Sequence, residues 1–251
     1  MDDLSSYLIL IAAGTVAALV NVPSGGGSFL TLPVLIFLGL PPGVANGTNR
    51  VGVVAQNLGA AVGFHRFQVL DWRWALVVSV PAVIGSALGA WAALQIGDDT
   101  FRQILSIFMI IAAVGMLFAP DPEREGAVVH SPTSPLVVAG FFIAGMYGGF
   151  LQAGVGLLIL VVTTWAGLDL VRGNAVKVLA NFLMTGLALV IFASHARVHW
   201  PFGIALAAGN LIGGEVGVRL TVLKGHRWVK GVVTITVIAM ALRLWFGAGS
   251  G

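Results

Sequence analysis

Apolar runs separated by short polar breaks fill almost the whole chain, and their lengths decide which elements they form. Ten runs occur: Leu4 to Val22, Phe29 to Leu40, Asn46 to Phe64, Trp74 to Leu94, Phe101 to Phe118, Leu136 to Leu151, Val155 to Ala166, Val171 to Ala193, Pro201 to Val222 and Trp228 to Phe246. A helix of about 20 apolar residues, rising 1.5 Å per residue, spans a hydrocarbon core of roughly 30 Å. Most of the runs meet that length. The second and seventh have 12 residues each, which makes roughly 18 Å of helix and cannot cross. Each short run follows a Gly-containing break, so the spacing predicts two helical hairpins, or broken helices, whose tips lie inside the membrane.

Those tips are Asn21-Val22-Pro23-Ser24-Gly25-Gly26-Gly27-Ser28 and Leu151-Gln152-Ala153-Gly154-Val155-Gly156. Unpaired backbone amides in lipid cost several kcal/mol each, so irregular backbone at that depth persists only where protein or a polar cavity surrounds it.

The polar landmarks repeat along the chain. Gly27 and Gly154, and likewise Arg50 and Lys177, are 127 positions apart; Ile84, Gly85 and Gly89 match Ile212, Gly213 and Gly217 at an offset of 128, and Arg102 matches Lys230. This divides the chain into a first repeat, residues 1–119, a Pro- and charge-bearing linker, 120–135, and a second repeat, 136–251. Each repeat holds five segments, and an odd number of passes turns the second repeat over relative to the first. With the N-terminus outside, nine of the Lys and Arg residues fall on inner connections and four on outer ones, as the positive-inside rule requires. The expected fold is therefore an all-α polytopic membrane protein of two inverted repeats, with about eight to ten membrane segments.

Composition agrees with that placement. Hydrophobic residues make up 58% of the chain and charged residues 9%, with a mean hydropathy of +0.98, against about a quarter charged in soluble domains. The net charge of +3 comes from cations near segment ends, where they anchor helices, and does not describe a nucleic-acid surface. No cysteine is present, which removes disulfides, thiolate metal sites and cysteine nucleophiles. The start Met1-Asp2-Asp3 lacks the basic region of a cleavable signal, so the first run is expected to be retained. His65, His195 and His199 have no metal-ligand spacing, and most of the tryptophans sit at segment ends as in an aromatic belt.

Candidate chemistry gathers at the breaks. Both tips lead into a helix N-terminus, where free amides and the positive end of the dipole favour an anion and glycine lets a ligand approach the backbone. For Gly25, Gly26 and Gly27 a ligand-lining role is the expectation; for Gly85, Gly89, Gly213 and Gly217 it is close helix packing. A second cluster, Asn46-Gly47-Thr48-Asn49-Arg50, has its counterpart in Gly173-Asn174-Ala175-Val176-Lys177. Asn46 or Thr48 suits an N-cap. Arg50 and Lys177 lie near helix starts, where the dipole opposes a cation: either an anion compensates them or they anchor at the interface. Gln56, Asn57 and Asn181 follow one to two turns deeper, able either to join helices or to bind oxyanion oxygens. The expected substrate shell is Ser24, Gly25, Gly26, Gly27, Ser28, Thr48, Asn49, Arg50, Asn57, Gln152, Gly154, Gly156, Lys177 and Asn181. Asn210 and Glu215 lie in the ninth run, and Glu215 is the one carboxylate of ten acidic residues inside an apolar run. It is a candidate for proton coupling, or else an ion-pair partner of Arg219 one turn on.

The stretch Ser24-Gly25-Gly26-Gly27-Ser28-Phe29-Leu30-Thr31-Leu32-Pro33, followed by Leu40-Pro41-Pro42 and Ala45-Asn46-Gly47-Thr48-Asn49, resembles the TauE/SafE sulfite exporter family, also called the toluene-sulfonate uptake permeases. The second Gly-rich turn, Gly148 to Gly156, extends the resemblance over nearly the whole chain, although Gln152-Ala153-Gly154 is less glycine-rich than the first. The resemblance implies a bacterial inner-membrane carrier for small sulfur-containing or organic anions such as sulfite, sulfoacetate or sulfonates, working without a cofactor on the proton gradient. The lack of a G-x-x-x-x-G-K-[ST] loop fits energy from a gradient rather than ATP. An enzyme is not expected, because the chain has no H-E-x-x-H, no G-x-S-x-G and no paired membrane carboxylates. An anion channel or a structural membrane protein shares the composition and stays open at this point, as does the oligomeric state.

Overall fold

The computed structural model describes residues 4–118 and 130–224, with side chains described outside 112–118 and 224. All nine elements among the described residues are α-helices: α1 Leu4–Ser24, α2 Ser28–Phe37, α3 Pro42–Arg66, α4 Trp72–Leu94, α5 Asp98–Phe118, α6 Pro135–Phe150, α7 Val155–Trp165, α8 Leu170–Ser194 and α9 Trp200–Lys224. They follow the first nine apolar runs. The tenth run, Trp228 to Phe246, and most of the linker lie outside the described residues.

Helix boundaries have local causes. α3 starts on Pro42 at a position where the missing N–H costs nothing. Asp71 caps α4 by accepting from the Trp74 amide at 2.9 Å, and Asp169 caps α8 by accepting from Val171 and Arg172, each at 3.0 Å. Since α3 begins four residues before Asn46, neither Asn46 nor Thr48 is an N-cap; both lie inside the helix and are free to bond elsewhere. α2 and α7 have 10 and 11 residues, roughly 15–17 Å of helix, half of what a crossing needs. Among the described residues four helices, α1, α4, α8 and α9, are long and apolar enough to cross a membrane. α3 has 25 residues but carries a buried polar face that lowers its hydropathy.

Packing is built on small residues. Gly85 and Gly89 of α4 lie on the carbonyls of Phe142 and Met146 in α6, and Gly145 and Gly149 of α6 lie on Ala82 and Ser86; none has room for a Cβ. In α9, Gly209 and Gly213 lie in the same way on the carbonyls of Ile11 and Thr15 in α1. Residue numbers rise together along both interfaces, so α4 runs parallel to α6 and α1 runs parallel to α9. Along α3 and α9, Val51 meets Gly203, Gln56 meets Gly214 and Gly63 meets Val218, again parallel. α4 also packs on α8, and α3 on α8 at the centre. The largest interfaces map onto one another, α1–α9 onto α4–α6 and α3–α9 onto α4–α8, when α1 and α6, α3 and α8, and α4 and α9 are exchanged.

Polarity is distributed inside out relative to a soluble protein. Leu8, Leu88, Trp91, Ile143, Val190 and Ile204 face outward, while Asn46, Asn49, Arg50, Asn174, Lys177 and Asn181 are buried. An outer apolar surface around a polar centre is the arrangement of an integral membrane protein.

Candidate functional site

The α1–α2 and α6–α7 breaks come together in the middle of the helix bundle. α1 ends because Gly25 takes a left-handed φ of +82°, its amide still bonded to the Asn21 carbonyl at 2.7 Å. Gln152 occupies the corresponding place after α6, 127 positions later, with φ +63° and its amide bonded to the Gly148 carbonyl at 3.0 Å. A non-glycine side chain in that conformation costs about 1–2 kcal/mol, so its presence needs a use. Gly25 packs backbone to backbone on Gly156, leaving no room for a Cβ on either, and the Phe29 ring fills the space beside Gly154. Glycine at these tips permits contact between the two hairpins themselves.

Each tip is gripped by a cation from the other half of the chain. On α3, Arg50 is fully buried and donates from Nη1 to the Gly148 carbonyl at 3.0 Å and to Gln152 Oε1 at 3.1 Å, and from Nη2 to the Gly149 carbonyl at 2.5 Å and Asn46 Oδ1 at 3.4 Å. The Phe192 ring covers its guanidinium at 4.6 Å. On α8, Lys177 donates to the Asn21 carbonyl at 3.1 Å, the Val22 carbonyl at 2.6 Å and Asn174 Oδ1 at 2.6 Å. Asn46 donates to the Phe150 carbonyl at 2.8 Å, and Asn174 to the Pro23 carbonyl at 3.4 Å. The three carbonyls held in α6, at 148, 149 and 150, stand 127 positions after the three held in α1, at 21, 22 and 23. These are the orphan carbonyls of two helix C-termini, and cations there are favoured by the dipole. Neither Arg50 nor Lys177 pairs with a carboxylate among the described residues.

Gln152 links the halves. Its Oε1 accepts from Arg50 and, at 3.1 Å, from Thr185, while Nε2 faces Asn181 Oδ1 at 3.4 Å and Thr185 bonds the same oxygen at 3.0 Å. The N-terminal amides of the short helices point the other way. The Gly26, Ser28, Gly154 and Gly156 amides and the Ser28 hydroxyl have no partner among the described residues. Arg50 Nε and Asn49 Nδ2 are buried and unpaired as well. All of these free groups are donors.

Other expected residues already have bonds within the protein. Thr48 accepts from the His199 amide at 2.9 Å and ties α3 to the α8–α9 connection. Asn49 accepts from Thr31 of α2 at 2.6 Å. Ser24 and Asn57 bond carbonyls of their own helices, at Val20 and Val53, 2.7 and 2.8 Å away. Gly27 donates to Asn21 Oδ1 at 3.0 Å. Glu215 is half-exposed on α9 and accepts from Arg219 at 3.1 Å, away from the tips. Asn46 and Asn174 grip the helix ends, and Thr185 and Phe192 complete the shell; none stood in the expected set. Asn46 and Asn174 were visible as amides one turn before a buried cation, and Thr185 as a hydroxyl one turn after Asn181. Nothing in the sequence marked Phe192.

Known proteins place this architecture. The chain is 26% identical over 245 residues to a "Probable membrane transporter protein" of Haemophilus influenzae, covering 96% of this chain and 95% of that one. It is 27% identical over 249 residues to the "Probable membrane transporter protein ORF9" of a Sinorhizobium species, covering 97% and 95%. With the "Probable membrane transporter protein YfcA" of Escherichia coli K12 it shares 25% identity over 239 residues, covering 95% and 89%. No solved structure matches the chain. Residues 10–244 match the family described as Sulfite exporter TauE/SafE, and a match of that extent means that the chain belongs to this family of membrane transporters.

Proposed function

We propose that this protein is a secondary transporter that exports small sulfur-containing or organic anions, such as sulfite, sulfoacetate or sulfonates, across the bacterial inner membrane by alternating access. The observation that carries the reading is the contact of the two hairpin tips at Gly25 and Gly156, with donors left free on both. Amides of two short helix N-termini, the Ser28 hydroxyl and Arg50 Nε face no acceptor, and two buried cations have no carboxylate beside them. An acceptor-only, negatively charged ligand satisfies that inventory; a cation or an apolar ligand does not. In this assignment the tip residues Ser24 to Ser28 and Gln152 to Gly156 surround the anion, Arg50 and Lys177 supply compensating charge, and Asn49, Asn57, Asn181 and Thr48 support the shell.

Two inverted repeats supply the alternating geometry. Support comes from the parallel registers of α1 with α9 and of α4 with α6, and from a packing map that exchanges the repeats. Inward and outward forms then arise when the repeats trade conformations about a fixed midplane site.

Counterflow in proteoliposomes tests the transport reading: labelled sulfite accumulates transiently against its own gradient when vesicles are preloaded with unlabelled sulfite. Leakage that only follows the gradient would mean a channel. Coupling is assigned to the proton gradient with Glu215 as its carrier. Glu215→Gln is expected to abolish pH-gradient-driven movement of sulfite while leaving counterflow intact. Unchanged driving in that variant makes Glu215 the structural partner of Arg219 and nothing more, a half-exposed pair contributing at most about 1 kcal/mol.

A further inference from the structure

We propose that Arg50 and Lys177 are reciprocal positioning residues: each repeat carries the cation that fixes the helix break of the other, so that both tips are held across the repeat boundary. This goes beyond the transport reading and does not depend on it.

The argument is a count of donors. Lys177 has three N–H groups and three acceptors, the carbonyls of Asn21 and Val22 and Asn174 Oδ1. None is left for a ligand. Arg50 has five, of which four are taken by Gly148, Gly149, Gln152 and Asn46, leaving Nε alone. The cations therefore act on substrate chiefly through charge and through the backbone they hold.

What they hold is specific. The Asn21 carbonyl that accepts from Lys177 also accepts the Gly25 amide that closes α1, and the Gly148 carbonyl that accepts from Arg50 also accepts the Gln152 amide that closes α6. In each repeat the last intrahelical bond before the break shares its oxygen with the opposite repeat's cation. Losing the cation strands one buried carbonyl at the helix end, Val22 or Gly149, and takes the second donor from Asn21 or Gly148, and the break frays first. Because the grip crosses the boundary, each tip stays registered to α3 or α8 of the opposite repeat, and a relative movement of the repeats has to carry the tip along or break the clamp.

Hydrogen exchange followed by mass spectrometry on the whole protein in nanodiscs, with no sulfur oxyanion added, tests this. Lys177→Met is expected to speed exchange of segment 21–30 by about ten- to a hundredfold, as loss of a charge-assisted bond implies, leaving segment 148–157 within about threefold. Arg50→Met should give the reverse. Lys177→Arg, which keeps a cation able to reach the same carbonyls, should restore wild-type exchange, and Arg50→Lys, with three donors for four acceptors, should restore most of the protection. The milder Asn174→Ala and Asn46→Ala, each removing one strand of a clamp, should show the same crossed pattern at smaller amplitude, and they decide the matter if a methionine variant does not fold. Faster exchange in the cation's own repeat, equal loosening of both tips, or no change in either would overturn the proposal.

Discussion

At the residue scale the tips turn on what a single Cβ would meet. Gly156 lies against the Gly25 backbone, whereas Gly186, inside α8, has nothing within 4 Å of the corresponding position. Overpacking of a tight contact costs about 1–3 kcal/mol, and replacing glycine by alanine inside an open helix gains up to about 1 kcal/mol. Gly156→Ala should therefore lower the melting temperature and weaken sulfite binding about tenfold, and Gly186→Ala should leave binding unchanged with equal or higher thermal stability, as read by thermal shift with and without sulfite. Equal effects of the two substitutions would separate the tips from the binding site. The sequence made the tip glycines, Arg50 and Lys177 conspicuous because glycine runs and lone cations are rare inside apolar runs. It could not show that the cations point at carbonyls rather than outward, since that depends on where the opposite repeat ends its helix. Gln152 is a further case: only the left-handed backbone at that position shows why its side chain must have a partner in Arg50 and Thr185.

Among the helices, length was the most legible property and packing partner the least. The brevity of α2 and α7 follows from counting residues between a glycine break and the next polar turn, and the structure returns helices of 10 and 11 residues there. The start of α3 was displaced from Asn46 to Pro42 because proline at the first helical position outweighs a side-chain cap four residues later. Glycines spaced by four announce close contact without naming the neighbour. In the fold Gly89 meets the Met146 carbonyl of α6, and its repeat partner Gly217 lies beside Val22 and the carbonyls of Ala18 and Leu19 in α1. Without a hydrophobic drive between helices in lipid, such contacts rest on close backbone approach. Gly89→Leu should push α4 from α6 and lower the melting temperature in detergent by several degrees, while Leu88→Ala on the exposed face of the same helix should leave it nearly unchanged. Similar losses for both would mean that the glycine face contributes no more than general apolar area.

For the whole molecule, the direction of every long helix can be reasoned from a few contacts. α1, α3 and α9 run parallel, and α4 runs parallel to α6. The five residues between α3 and α4, Phe67 to Asp71, allow only a reversal, so the α4–α6 pair opposes the α1–α3–α9 group. α1 and α6 then point in opposite directions, as the proposed inverted repeats require. The ends agree: Asp98, at the start of α5, accepts from the Gly43 amide at 2.8 Å and lies 4.0 Å from Arg197, gathering the starts of α3 and α5 and the α8–α9 connection at one end. At the start of α6, the His130 amide bonds the Ala166 carbonyl at 2.8 Å beside the α7–α8 connection. Charge then gives the expected sides: Arg66, Arg73 and Arg172 flank the second set of connections, the end that the positive-inside rule predicts to be cytoplasmic. Single cysteines at the exposed positions Gln68 and Asp169, introduced into a chain with no cysteine of its own, should be labelled from the cytoplasm by a membrane-impermeant maleimide. Cysteines at Asp99 and His195 should be labelled from outside. Gln68 and His195 lie on corresponding connections, 127 positions apart, which a parallel arrangement would send to the same side. Labelling of His195 together with Gln68, and of Asp169 together with Asp99, would therefore replace inversion by a parallel repeat and remove the geometric basis for alternating access.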